Sequence, residues 1–465
     1  MMPEHISTLS VAAKNSKQRV TTGSWFIPLV KRIHFYIGLF VGPFLLLAAL
    51  SGILYALTPQ IESHLYARQL YNDSRGTVLP LQRQVSAAQA FAPSHAVLSA
   101  VRPSPVDGEN TRVLFDVAGL QPAERLAVFV DPVTAQLQGT LIVYGTSGVL
   151  PLRTWLDQFH RSLLLGDLGR NYSELAASWL WVTALGGLIL WGARQRRQAK
   201  ASGKGLRRLH EKFGVLLLIG LLFFSVTGLT WSQWAGGNIS MLRQQFGWAT
   251  PSLSTVLGKE PVDEHAEHCG HEMHPPISLA PINGADYDRA LAAARLAGIK
   301  AAKIEIKQPT PGRAWAVMEI DRSWPTQVDA VALDPVSMAV VERVSFAQYP
   351  LAAKLTRWGI DLHMGVLFGL ANELVLVMFA AGLAAMVVTG YVMWWRTRPT
   401  RVVRQPQRSP LMLLRKTPIV PLLLIVSLTL LLGFCLPVMG ISLLIFLLCD
   451  LIRYQLTKGK KRIER

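Results

Sequence analysis

Four of the chain's eleven histidines stand in matched contexts. Lys31-Arg32-Ile33-His34 is answered 176 residues later by Arg207-Arg208-Leu209-His210, and Gly38/Gly214 and Ser51-Gly52/Thr227-Gly228 keep the same offset. His160 is answered 203 residues later by His363. Neutral imidazole is a ligand for haem iron, and two helices presenting one each can clamp a porphyrin between them. Arg32 and Arg208, two residues before the first pair, could neutralise haem propionates. Gly38 and Gly214, one turn further along, would leave room for a flat macrocycle, as Gly166 and Gly369 would near the second pair. The competing reading makes each histidine an amphipathic residue at the end of a membrane span, preserved by duplication alone. Occurrence as two pairs, one in each leaflet, favours ligation.

A second cluster is His265, His268, Cys269, His271 and His274, with Glu264, Glu267, Glu272 and Met273 among them. A short Cys/His-rich tract reads as metal binding. Imidazole and sulfur suit copper or zinc, and the carboxylates widen the choice to iron. The alternative is a solvated acidic loop. No CxxCH occurs, so no covalent haem attachment is encoded.

The elements that must position these residues are membrane helices. Ile33–Leu57, Phe213–Trp234 and Leu374–Trp395 are too long and apolar for soluble core helices, Leu175–Trp191 is shorter but uncharged, and Pro418–Leu451 has room for two short spans. The net charge of +18 suggests nucleic acid until its distribution is read. Residues 1–32, 192–208, 396–416 and 452–465 hold 25 of the 47 Lys and Arg with only two acids, and all four segments flank spans. That is the positive-inside bias, so both termini are expected in the cytoplasm and the long loops outside, with no nucleic-acid partner. The expected division is a tail over 1–24, spans over 25–57, 173–193, 209–234 and 366–395, and outer regions over 58–172 and 235–365. Inner loops over 194–208 and 396–417, a two-span hairpin over 418–452 and a tail over 453–465 complete it.

Asp131 to Trp191 returns, without a gap, as Asp334 to Trp394. Such a fixed offset marks an internal repeat. In the first outer region Gln84–Phe91 reads as a helix, Thr111–Val117 and Leu126–Val130 as strands, and Asp131-Pro132-Val133-Thr134 as a turn between strands. Arg153–Leu165 is amphipathic, and Asp167–Asn171 reads as a polar break. In the second, Asp286–Ala297 reads as a helix and Ala302–Ile306, Ala314–Ile320 and Val328–Leu333 as strands. The insertion 264–276 and the final hairpin have no counterpart in the repeat. Cys435 and Cys449 read as packing residues.

Lys31-Arg32-Ile33-His34 with Gly38, Val130-Asp131-Pro132-Val133-Thr134, Gln158-Phe159-His160-Arg161 with Gly166, and their second copies resemble the PepSY-associated transmembrane family. The second copy departs at Asp361-Leu362-His363-Met364, which lacks the arginine after the histidine. The family includes iron-regulated inner-membrane proteins and ferrisiderophore reductases. The resemblance covers roughly residues 25–396. It implies an α-helical integral membrane protein with two α+β periplasmic PepSY-like domains on a duplicated four-helix, haem-binding core, plus a C-terminal hairpin.

The expectation is a bacterial inner-membrane oxidoreductase with two b-type haems. It would pass electrons to a periplasmic ferric siderophore from a quinol or a cytoplasmic flavin reductase. No GxGxxG follows a strand, so no nucleotide site of its own is expected. The alternatives are a non-redox metal-binding or transport component built on the histidine tract, and a regulatory membrane protein whose outer domains bind a partner.

Overall fold

The computed structural model describes residues 25–196, 205–257, 284–398, 410–414 and 417–463. From the N-terminus, α1 (Phe26–Phe40) and α2 (Gly42–Ala56) are the two arms of one apolar run, bent by 57°. Short helices α3 (Thr58–Leu65) and α4 (Ala67–Leu70) lead to α5 (Leu81–Phe91) and strands β1 (Val97–Arg102), β2 (Thr111–Asp116), β3 (Glu124–Val130) and β4 (Leu137–Tyr144). Then come α6 (Pro151–Ser162) and the long α7 (Gly166–Arg196). A second bent pair follows, α8 (Leu206–Leu216) and α9 (Leu218–Thr230), at 60°, then α10 (Trp234–Gln245). Next are α11 (Ala285–Leu296), β5 (Ile304–Lys307), β6 (Trp315–Glu319), β7 (Ala330–Leu333), β8 (Val340–Val344), α12 (Leu351–His363) and the long α13 (Gly369–Thr397). Helices α14 (Pro410–Leu414), α15 (Ile419–Cys435) and α16 (Pro437–Ile463) end the chain.

Three of these helices are long and apolar enough to cross a membrane, five spans result if each bent pair counts as one, and α15 is a shorter apolar helix of 17 residues. Continuous helices were expected for the first and third spans, and both are broken. At the first break Pro43 has no N–H for the Leu39 carbonyl. Tyr391 Oη on α13 donates to that carbonyl instead, at 2.5 Å. The second break has no proline. It falls at Leu217, the position equivalent to Val41 at offset 176, and there Leu217 packs onto Gly382 of α13.

Two separate outer domains were expected, but the strands form one sheet of eight in the order β4-β3-β2-β1-β5-β6-β7-β8. Each half is an antiparallel meander with a helix, α5 or α11, on the same face. Val85, Val113, Phe115, Val128, Tyr287, Ile306, Trp315 and Val331 fill the layer between those helices and the sheet. The halves join where β1 and β5 pair antiparallel, Val101 opposite Ile306. Beside this seam Arg102 is paired with buried Glu305, at 2.5 Å, and these two residues are 203 apart. Strands β1, β4 and β8 went unread in sequence, whereas β5 falls on the expected strand Ala302–Ile306 and both Asp-Pro turns fall between strands as expected. Asp131 Oδ1 accepts from Val133 N and Thr134 N, and Asp334 Oδ1 accepts from Val336 N and Ser337 N.

Asp167–Asn171 is not a break but the first turn of α7. Gly166 and Gly369 begin α7 and α13 with φ of +57° and +56°, and a side chain at either would meet nothing within 4 Å. A positive φ is a conformation that glycine adopts without steric cost. The hairpin α15–α16 docks on the bundle through Trp179 Nε1–H to Ser442 Oγ, at 2.9 Å, and Asn238 Nδ2–H to the Cys435 carbonyl, at 3.0 Å. Cys435 and Cys449 are exposed on it rather than packed inside.

Candidate functional site

The four matched histidines reach the bundle interior from four different helices. His34 on α1 donates from Nδ1 to the Thr183 carbonyl of α7, at 3.0 Å. A carbonyl can only accept, so Nδ1 carries the proton and Nε2 keeps its lone pair. His210 on α8 is placed the same way against α13, Nδ1 lying 3.4 Å from Thr389 Oγ1 with the Met386 carbonyl also in reach. Met386 and Thr183 are 203 apart.

His160 and His363 are held by hydroxyls. Ser51 Oγ on α2 donates to the Leu47 carbonyl at 2.8 Å, so it accepts from His160 Nδ1 at 2.9 Å. Thr227 Oγ1 on α9 donates to the Phe223 carbonyl at 2.7 Å and accepts from His363 Nδ1 at 2.7 Å. A hydroxyl has one proton, and here the helix backbone takes it. All four imidazoles therefore turn Nδ1 to a protein acceptor and leave Nε2 available. That arrangement fixes tautomer and ring orientation in metal-ligating histidines.

The histidines also meet in the expected pairs. The His34 and His210 rings lie 6.3 Å apart at an interplanar angle of 85°. Two imidazoles bound through Nε2 to one iron, at the usual metal–imidazole distance of about 2.0 Å, have ring centroids about 6.3 Å apart. His160 and His363 are close enough to interact electrostatically, and Phe223, Phe224 and Trp231 surround the latter at 5.4–6.3 Å. Tyr172 Oη ties the His160 backbone carbonyl to α7, at 2.9 Å.

Glycines permit this approach of ring to helix. A Cβ at Gly187 would stand 3.3 Å from His34 Cε1, one at Gly52 would stand 3.4 Å from His160 Cε1, and one at Gly390 would stand 3.9 Å from His210 Cε1. The space beside Gly38 is open to at least 4 Å, while Gly214 faces Met386. Arg32 is half-buried with Nη1 3.4 Å from Tyr36 Oη, and Arg208 is exposed. Beside His210, Glu211 accepts from Arg194 at 2.6 Å and from Arg207 at 3.0 Å. Arg161, the unmatched residue, bonds Gln158 within its own helix.

Sequence reasoning missed Ser51, Thr183, Thr227 and Thr389 as partners of the rings. A signal existed for the first and third, since both stand at matched positions four or five turns along the same apolar run as His34 and His210. His265, His268, Cys269, His271 and His274 lie outside the described residues. Among the described residues no group of three or more His, Cys, Asp and Glu side chains could hold a metal ion.

No curated protein matches the chain. The sequence profile of the PepSY-associated TM region matches residues 31–397, which include all four histidines and the whole sheet. With apolar helices of spanning length beneath that sheet, the chain is a membrane protein and belongs to the PepSY-associated TM region family.

Proposed function

We propose that this protein is an internally duplicated dihaem b-type oxidoreductase of the bacterial inner membrane, reducing a ferric chelate outside the membrane. The observation that carries the reading is the common arrangement: four imidazoles in two pairs, each with Nδ1 engaged by the protein and Nε2 unbonded among the described residues, and one pair with ring centroids 6.3 Å apart. His34 and His210 would hold one haem and His160 and His363 the other. When bound, each haem supplies a one-electron couple. The protein's part would be to hold the group through these imidazoles, exclude water with an apolar bundle, and tune it through the hydrogen bonds on Nδ1.

The duplication reading rests on the same element order twice at offset 203, from α5 and α11 through α7 and α13. The basic segments support an orientation with both termini in the cytoplasm, the His34–His210 pair toward that side, and the sheet outside. Arg32 and Arg208 are at the end where propionates of the inner haem would need a counter-charge. Electrons would enter from a membrane quinol or a flavin reductase docked on the basic inner face. The expected acceptor is ferric iron in a siderophore, since Fe(II) is softer and suits hard oxygen ligands less well. The test is the visible spectrum of purified protein in detergent, followed by mixing the dithionite-reduced protein with a ferric hydroxamate. A Soret band that shifts on reduction and reverts on adding the chelate supports the proposal. Haem that stays reduced in its presence rules out that acceptor class.

A further inference from the structure

The second copy of the outer histidine motif departs from the first at two positions, and one side chain answers both. Gln158 and Arg161 of the first copy become Asp361 and Met364 at offset 203. On α6 the first two bond each other, Arg161 Nη2–H to Gln158 Oε1 at 3.0 Å. On α12 and the turn after it, the other two meet Arg322, which comes from the loop joining β6 to β7. Arg322 Nε donates to Asp361 Oδ1 at 2.6 Å, and its Nη2 lies 3.2 Å from Met364 Sδ. His363 stands between those two residues in the chain.

Asp361 is fully buried. A buried carboxylate is stable only when cations or N–H groups meet it. Arg322 brings a fork of donors in fixed geometry, and Arg357 Nε lies 3.2 Å from the second carboxylate oxygen. The β6–β7 loop makes a further contact, Trp324 N–H to the Leu367 carbonyl at 2.8 Å. The turn it grips is folded back on Asp361, whose own carbonyl accepts from Val366 N at 2.9 Å and from Leu367 N at 3.2 Å. Arg322 Nη1 also donates to Ser147 Oγ at 3.0 Å, and the Ser147 carbonyl accepts from Arg102 of the sheet seam at 2.8 Å. A run of hydrogen bonds thus joins the seam to the helix of His363. In the first half the loop between β2 and β3, residues 117–123, carries no charged side chain and makes no hydrogen bond to α6 among the described residues.

We propose that Arg322 is a positioning residue for His363: through Asp361 and Met364 the sheet latches the end of α12 and, with it, the orientation of that imidazole. The consequence for a haem rests on the function proposed above, whereas the latch itself does not.

Hydrogen exchange of the full chain in detergent, followed by mass spectrometry, reads the latch without any haem signal. R322Q should speed amide exchange over residues 358–367 about tenfold or more, because a buried carboxylate loses its main partner. The matched stretch 155–164 should exchange as in the native chain. R322K keeps the charge but cannot reach Asp361, Ser147 and Met364 together, so it should recover only part of the protection. Electron paramagnetic resonance of the ferric protein reads the imidazole, because the signal of a low-spin bis-imidazole haem follows the angle between its two rings. R322Q and R322K should both shift the outer signal and leave the inner one in place, which loss of charge alone would not do. Native exchange over 358–367, full protection in R322K, or equal acceleration of both stretches would overturn the latch. Faster exchange with an unmoved outer signal would show that Arg322 holds the helix and not the ring, and would overturn the positioning role. A chain without haem would refute the proposed function, and the exchange result alone would then decide the latch.

Discussion

Replacing Thr227 by valine removes one oxygen from the bundle and keeps its shape. In the native chain that oxygen accepts from His363 Nδ1 at 2.7 Å while its own proton goes to Phe223. The substitution leaves an enclosed N–H without a partner, which costs about 1–3 kcal/mol, or roughly 5- to 150-fold in an equilibrium constant. Loss of a hydrogen bond to a ligating histidine costs 10–100-fold in metal affinity by the same physics. T227V should therefore lose haem from the His160–His363 pair about 10- to 100-fold more readily, measured by transfer to excess apomyoglobin. The inner pair should be unaffected. The midpoint potential of the outer haem should rise, because an imidazole that no longer donates is a poorer donor to ferric iron. T227S should restore both. Native retention and potential in T227V would refute the argument that Thr227 sets the tautomer of a ligand.

Other perturbations follow from the same geometry. Gly187→Val should strip the inner haem alone, because its Cβ would stand 3.3 Å from His34 Cε1 on rigid helix, whereas Gly390→Ala, at 3.9 Å from His210, should retain both haems by spectrum. Asp131→Ala should lower sheet stability by about 2 kcal/mol in urea melts, since it orphans Val133 N and Thr134 N and loses the bond from Ser74. Burial acts to raise the Asp131 pKa, but those hydrogen bonds outweigh it and the folded value is depressed. Its contribution is thus complete above the ordinary carboxylate range near 4 and is lost as pH falls through the folded pKa, so the native and D131A melting curves should converge at acid pH. Truncation after residue 414 removes α15 and α16, and both haem spectra should survive it.

The histidine pairs were legible because a repeat preserves residue type and spacing together. The apolar runs were legible from length and composition, though two of them are bent and a third is a shorter helix of 17 residues. The continuous sheet was not, because the edge that joins β1 to β5 is chosen by three-dimensional closure of two similar halves, and β1 shows no clean alternation. Arg102 and Glu305 show the point: 203 residues apart, they carry opposite charges and meet at the seam, yet a search for identity passes over them. The breaks at Val41 and Leu217 were hidden too, since proline accounts for one of them and packing on Gly382 accompanies the other. The positive φ at Gly166 and Gly369 was not legible either, because sequence cannot tell a glycine needed for positive φ from one needed for close approach.

The central claim is that four imidazoles form two sites of two. Haem content per chain, measured by pyridine haemochromogen on the native protein and on H34A, H210A, H160A and H363A, tests it most directly. The account predicts about two haems in the native chain and about one in each variant, with H34A and H210A sharing one residual spectrum and H160A and H363A sharing the other. A folded native chain without haem, or four variants that each keep both haems, would contradict it.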